Sequence, residues 1–339
     1  MITTESINQL FSSFNNLNAL IIGDVMVDSY IWGSVSRISP EAPVPIVEVK
    51  KRENRLGGAA NVGLNLKALG ATPILCSVIG TDHRGDDFVT LLKKEGLPLD
   101  GIVKCDDRIT TTKFRVIGNN VQLLRVDEET TALLTDKQYE LLVEKLENII
   151  DENTIDVIIF QDYDKGVISQ KLIERVVKNA NAKNIPVVVD PKKANFLSYN
   201  NVTMFKPNLK EIKEGLNLGF IDDNDVNIEL AVAKLQDKLN ADIILNTLSE
   251  KGVFVSWKIK GGYESRLIPA HLRNIADVSG AGDTVISVAA LCVAQSIEPQ
   301  VMAAIANLAG GMVCEKVGVV SVNKNKFKDE VNRVLGKVL

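Results

Sequence analysis

The residues best suited to chemistry lie between Asp277 and Thr284, in the order Asp-Val-Ser-Gly-Ala-Gly-Asp-Thr, where a helical pattern opens. Gly280 and Gly282 carry no Cβ, so the backbone there can take unusual dihedrals and approach a ligand closely. N–H groups at the start of the helix would face an anion. The segment therefore reads either as a cradle for an oxyanion or phosphate, or as a helix start whose Asp283 complements the dipole. It is neither standard phosphate loop: no Gly-Lys-Ser or Gly-Lys-Thr occurs, and Val285 stands where a dinucleotide fingerprint needs its third glycine.

Other segments offer ligands without deciding the chemistry alone. Gly57, Gly58 and Asn61 open a helix and suit either close packing or a polar contact. Asp28 follows the first apolar run, and Asp162 to Lys165 follow another, at the strand ends where parallel sheets collect ligands. Asn208 and Glu211 share one helix face and fit either Mg²⁺ held partly through water or a capping pair. Lys113, Arg115 and Arg125 lie on a hairpin that is either a solvated face or a cover for an anionic substrate.

The elements that must position these groups follow from the hydrophobic pattern. Short apolar runs at Ala19–Ile22, Pro73–Ile79, Val157–Phe160, Pro186–Val189, Val202–Phe205 and Ile243–Leu245 read as buried strands. Amphipathic stretches at Ala59–Leu69, Asp87–Lys94, Ser169–Ala180 and Ile228–Leu239 separate them, and Ala281–Gln295, Pro299–Glu315 and Lys324–Leu335 close the sequence as helices. The alternation predicts an α/β fold with a mostly parallel sheet covered by helices on both faces. Two segments depart from it: Ser39–Lys50, whose three prolines suit an edge strand, and a hairpin of Thr110–Ile117 with Val121–Val126.

Composition narrows the classes. The 339 residues carry 39 Lys and Arg against 43 Asp and Glu, a net charge of −4 that disfavours nucleic acid as a partner. No run approaches the ~20 apolar residues of a membrane span, and the start lacks the basic residues of a secretory signal, so a soluble, cytoplasmic protein is expected. Four scattered cysteines suggest neither disulfides nor zinc, and two histidines are too few for a three-His site.

The order of the motifs resembles the ribokinase (PfkB) carbohydrate kinase family across roughly residues 17 to 325. That order is Asp28, Gly57 to Asn61, Asp162 to Gly166, Asn208 to Glu211, Thr247 to Gly252 and Asp277 to Asp283. Within the family, the segments Gly23 to Tyr30, Ser36 to Pro45, Arg55 to Val62, Thr112 to Arg115 and Gln122 to Asp127 are similar to the heptose 7-phosphate kinases. The resemblance implies a ribokinase-like fold in one domain over residues 1–339. It also implies a small β-sheet lid, approximately 33–52 and 105–127, through which a homodimer forms.

The implied reaction is ATP-dependent phosphorylation of D-glycero-β-D-manno-heptose 7-phosphate at O1, a step towards the ADP-heptose of lipopolysaccharide core. By the same resemblance Asp283 is the base, and the N–H groups of Gly280, Ala281 and Gly282 form the anion hole. Asn208 and Glu211 organise Mg²⁺ and the ATP phosphates, while Thr247, Gly252 and Asn307 line the nucleotide pocket. Asp28, Gly57, Gly58 and Asn61 hold sugar hydroxyls, and Lys113, Arg115, Arg125 and Lys165 are candidates for the substrate's own phosphate. Ser279 stands where the family often has Thr. Many heptose kinases are fused to a nucleotidyltransferase with a His-x-Gly-His motif; His83 and His271 are too far apart for it, so that activity is expected on another polypeptide. A kinase for another sugar and a silent sugar-nucleotide sensor stay open, while a Rossmann oxidoreductase is disfavoured by the missing Gly-x-Gly-x-x-Gly.

Overall fold

Ala19 and Ile21 pack into one hydrophobic core while Leu20 and Ile22 pack into another. A strand buried on both faces has no polar side, which is why this stretch is a continuous apolar run. The computed structural model describes residues 3–217, 225–271 and 273–336. In chain order, helix α1 (Thr4–Ser13) and strand β1 (Asn18–Gly23) lead into two long strands, β2 (Val25–Ile38) and β3 (Pro45–Gly58). Then come α2 (Ala59–Ala68), β4 (Thr72–Gly80), α3 (His83–Lys94), β5 (Ile102–Cys105) and the hairpin β6 (Thr112–Gly118) and β7 (Val121–Glu128). The alternation resumes with α4 (Asp136–Glu152), β8 (Val157–Gln161), α5 (Gln170–Ala182), β9 (Val187–Asp190) and β10 (Met204–Phe205). After α6 (Leu209–Gly215), α7 (Asp225–Leu239) and β11 (Ile243–Thr247), a second hairpin of β12 (Val253–Ile259) and β13 (Gly262–Ile268) precedes α8 (Ala281–Ala294), α9 (Pro299–Val313) and α10 (Lys324–Leu335).

Nine strands form the main sheet in the order β13-β12-β11-β10-β9-β8-β1-β4-β5, parallel except for the antiparallel pairings of β12 with β11 and with β13. One face is covered by α1, α2, α3, α8, α9 and α10, through residues such as Leu66, Phe88, Ile286 and Met302. The other is covered by α4, α5 and α7, through Leu142, Leu172 and Leu235. This is the expected doubly covered sheet. The first and last described helices meet where the rings of Phe11 and Phe327 pack edge to face, 5.2 Å apart.

A four-stranded sheet in the order β3-β2-β6-β7 stands apart from the main one. It is larger than the expected lid segments. β2 runs unbroken from Val25, buried as far as Tyr30, out to an exposed end at Ile38, while Cys105 belongs to the main sheet. Pro40 and Pro43 fall in the turn between β2 and β3, and Pro45 is the first residue of edge strand β3, positions where a missing N–H breaks no ladder. The β6–β7 turn is the two residues Asn119 and Asn120, both with positive φ, the twist that a tight hairpin requires.

Some boundaries moved for local reasons. Helix α3 begins at His83, four residues before the expected start, because the Asp82 side chain accepts from Gly85 N–H at 2.7 Å and caps it. The strand expected over Val202–Phe205 keeps only Met204 and Phe205, after Asn201 turns at φ 60°.

At Gly23, where β1 meets β8, a Cβ would collide with the Gln161 carbonyl oxygen, a backbone atom that cannot swing aside. At Gly262 a Cβ would meet nothing within 4 Å. Gly23→Ala should therefore destabilise the fold by about 2 kcal/mol or more, and Gly262→Ala should change it by less than about 0.5 kcal/mol. Denaturant unfolding of the two variants beside the unsubstituted protein checks this contrast.

Candidate active site

The carboxyl ends of β1, β8 and β9 open towards the N-terminus of α8, and the residues there carry the site. Gly280 caps that helix at φ 79°, the left-handed region that a side chain rarely adopts. Its conformation turns the chain so that the next residues start α8, which is buried from Asp283 to Val293. The N–H groups of Gly280 and Gly282 have no partner among the described residues, whereas that of Ala281 donates to the Val278 carbonyl at 3.3 Å. Two free donors therefore stand at the helix mouth, and the third is already weakly engaged.

Asp283 lies in the first turn of α8 and is buried. Its Oδ2 accepts from Asn61 Nδ2 at 2.6 Å, and its Oδ1 accepts from the Tyr163 hydroxyl at 2.7 Å and Gln161 Nε2 at 3.2 Å. Burial pushes the carboxyl up to about 6, against the hydrogen bonds from Asn61 and Tyr163, which favour the ionised form. A carboxylate so placed is ionised at neutral pH yet basic enough to take a proton.

Two neighbours escape a motif reading. Asp190, at the end of β9, forms a buried ion pair with Lys206 at 3.0 Å and also accepts from Gln161 Nε2 at 3.3 Å. Lys206 Nζ and Asp190 Oδ2 lie 3.8 and 4.0 Å from where a Gly282 Cβ would stand, so the pair sits against the glycine loop. Asp190 and Lys206 each end a short apolar strand, a signal that could have found them. Tyr163 and Gln161 flank the singled-out Asp162, whose own carboxylate serves structure: Tyr199, Asn195 and the Asp164 N–H donate to it. Burial, reinforced by Asp24, pushes Asp162 up to about 6.

Asp24 organises this corner. Its carboxylate accepts the backbone N–H groups of Tyr163, Lys165 and Val167 at 2.9 to 3.1 Å, and its carbonyl accepts Ala59 N–H at 2.9 Å. Burial still raises its pKa above the ordinary carboxylate value, beyond what those three donors recover. Gly58 takes φ 60° directly over the Asp24 carbonyl oxygen, so the paired glycines serve close packing as the start of α2 passes β1.

On the lid side, Asp28 pairs with Arg115 at 2.5 Å, and Gly57 leaves room for the Asp28 carboxylate. Arg55 and Arg115 both lie over the Tyr30 ring, at 5.0 and 5.3 Å. The other expected cations are tied to acids: Lys113 to Asp127 and Glu129, Arg125 to Asp127 and Lys165 to Glu129. A cleft of about 530 Å³ runs from Asp28 and Asn61 between α2, α3 and β3, and none of Lys113, Arg115, Arg125 or Lys165 lines it.

A second cleft, of about 570 Å³, lies beside Asn208 and Thr247 and the turn after β11. Gly252 closes that turn, its carbonyl accepting from Leu248 N–H at 2.8 Å. Asn307 does not line the cleft; its amide donates to the Pro269 carbonyl at 3.0 Å. Asn208 and Glu211 form a reciprocal capping box on α6, and the remaining Glu211 oxygen pairs with Lys192 at 2.5 Å. Among the described residues no group of three or more His, Cys, Asp or Glu side chains is arranged to hold a metal ion. No helix among them is long and apolar enough to cross a membrane.

Residues 17–326 match the family described as pfkB family carbohydrate kinase. The bifunctional protein HldE of Desulfatibacillum aliphaticivorans is 39% identical over 329 residues, 97% of this chain and 66% of that protein. The protein of the same name from Campylobacter jejuni subsp. doylei is 39% identical over 326 residues, 96% and 66% of the two chains. The chain thus spans just under two thirds of the length of these curated relatives. Among solved structures, phosphofructokinase-2 from Escherichia coli in complex with potassium superposes with TM-score 0.77 at 17% identity, covering 95% of this chain and 99% of that one. Arabidopsis thaliana ribokinase complexed with ribose and ATP gives 0.68 at 15% identity, covering 92% and 98%. These likenesses make the fold ribokinase-like.

The Tyr163 and Asn61 hydrogen bonds hold the Asp283 carboxyl lower than burial alone would. Replacing either donor, as Tyr163→Phe or Asn61→Ala, should therefore raise its midpoint above about 6. The carboxyl ¹³C titration, assigned by the signal lost in Asp283→Asn, measures it.

Proposed function

From the premise that the chain belongs to the pfkB family of carbohydrate kinases, and is a phosphotransferase, we propose that it moves the γ-phosphoryl group of ATP to O1 of D-glycero-β-D-manno-heptose 7-phosphate. The observation that carries this reading is the pairing at the mouth of α8: a buried, ionisable Asp283 beside the unpartnered N–H groups of Gly280 and Gly282. The choice of sugar rests on the segments similar to heptose 7-phosphate kinases and on the relatives named HldE.

The chemistry divides between two sides. Asp283 accepts the proton of the anomeric hydroxyl as its oxygen attacks, a modest demand because that hydroxyl is more acidic than an ordinary alcohol. Transfer itself depends on positioning and on spreading charge over the γ-phosphate oxygens. The Gly280 and Gly282 N–H groups supply fixed donors there, and Ala281 joins them once its long bond to Val278 gives way. Lys206 offsets Asp190, so the loop does not present an unpaired carboxylate to the incoming phosphates. Asn61 and Asp28 are placed to orient the sugar hydroxyls, with Gly57 leaving room for the Asp28 carboxylate and Gly58 for the Asp24 carbonyl behind them.

The nucleotide enters by the cleft of Asn208 and Thr247, with Gly252 shaping its turn. Asn208 and Glu211 already cap α6. That donor set fits Mg²⁺ held by phosphate oxygens and water, not by a dedicated protein cage. When bound, the ion would neutralise charge on the ATP phosphates. We assign the chain a kinase domain with its lid, a cytoplasmic location and a homodimer through the lid.

Asp283→Asn should lower kcat by at least ~10²-fold while ATP binding is retained. Near-normal turnover would remove Asp283 as the base. Because the base must be ionised, kcat/KM should fall as pH drops through about 6, approaching tenfold per unit below it. ADP release across a panel of sugars and sugar phosphates tests the acceptor; equal activity on ribose or fructose with none on the heptose phosphate refutes it.

A further inference from the structure

The cleft beside Asn61 extends along α2 away from the proposed base, which adjoins it through Asn61. Asn61, Leu64, Lys67 and Ala68 line it from one face of α2, so the wall follows the helix axis. The six-residue step from Asn61 to Lys67 is about 9 Å along that axis. One end thus holds the amide that touches Asp283, and the other holds an ammonium. Lys94 of α3 joins Lys67 there, and Arg55 of β3 stands in the side wall.

The charge at that far end is available to a ligand. Lys94 makes no ion pair or hydrogen bond among the described residues, and the Lys67 ammonium donates only to the Glu95 backbone carbonyl. Arg55 shares Glu53 with Lys51, which leaves its outer N–H groups free of a second acid. Of the three carboxylates that line the cleft, Asp28, Glu53 and Glu95, only Glu95 is next to either lysine in the chain. By contrast, Lys113, Arg115, Arg125 and Lys165 each have a carboxylate within 3.1 Å, and a phosphate would have to displace it.

We propose that Lys67 and Lys94, with Arg55 in the wall, form the subsite for the phosphate borne at the far end of the acceptor sugar. This rests on the kinase reading above. It makes the length of the cleft a ruler: with O1 at Asp283, the lysines lie near where a phosphate on the seventh carbon would reach. Charge-assisted hydrogen bonds to a dianion then favour the phosphorylated sugar over its unphosphorylated form.

The test compares kcat/KM for heptose 7-phosphate with that for the unphosphorylated heptose. In Lys67→Gln and in Lys94→Gln the ratio of the two should fall at least tenfold, and Lys67→Arg and Lys94→Arg should restore most of it. An unchanged ratio in both Gln variants overturns the subsite. A second measurement does not depend on the acceptor: the rise in melting temperature caused by inorganic phosphate, with the nucleotide site filled by a non-hydrolysable ATP analogue. That rise should shrink in both Gln variants. If it shrinks while the protein turns over no heptose phosphate, the subsite stands and the sugar assignment fails. If it is unchanged, the subsite fails whatever sugar is used.

Discussion

One buried carboxylate ties the halves of the site together. Asp24 follows β1 and binds three backbone N–H groups of the segment after β8, while its carbonyl receives the first N–H of α2. The segment after β8 carries Tyr163 and α2 carries Asn61, and these two side chains grip the two oxygens of Asp283. Asp24 lines neither cleft, yet it sets the position of both groups that hold Asp283. Its raised pKa records the expense of the arrangement: an acid held this deep stays charged only through the donors around it.

Two further carboxylates show how surroundings divide their roles. Asp190 and Asp283 both accept from the same Gln161 amide, so they sit in one pocket of the fold. Asp190 has Lys206 beside it and is locked into an ion pair. Asp283 has only neutral donors in direct contact, and burial lifts it to about 6. Neighbouring acids with unlike partners are how one pocket holds both an ion pair and a carboxyl whose pKa is raised.

Much of this was legible because the physics was local. Continuous apolar runs marked strands buried on two faces, and the glycine loop with Asp283 announced a helix start with an unusual entry. The hairpin at Asn119 and Asn120 followed from turn chemistry. What stayed hidden was made by distance in the chain. Asn61 reads as a first-turn polar residue, and nothing near it says that its partner lies 222 residues away. Lys206 looks like any lysine after a strand until the sheet sets it against Asp190. The lid cations looked available because their acids, Asp127 and Glu129, lie on the same ribbon and count as surface charge until the pairing is drawn. Asn208 and Glu211 were read both as a cap and as a metal pair, and the structure places them in a cap.

The covering of the main sheet has a consequence for how the chain emerges from the ribosome. One face is sealed by α4, α5 and α7, all translated before residue 240, but the other depends on α8, α9 and α10, which follow residue 280. At a synthesis rate of about 5 to 20 residues per second, the interval between Asn61 and Asp283 lasts on the order of tens of seconds. From the moment each is made until α8 follows, the strands beyond β8 present an apolar face with no helix to cover it, the kind of surface that chaperones bind. The nascent chain gains Asp283 and its missing hydrophobic cover in the same stretch, so a truncated product would lack this part of the site and solubility together.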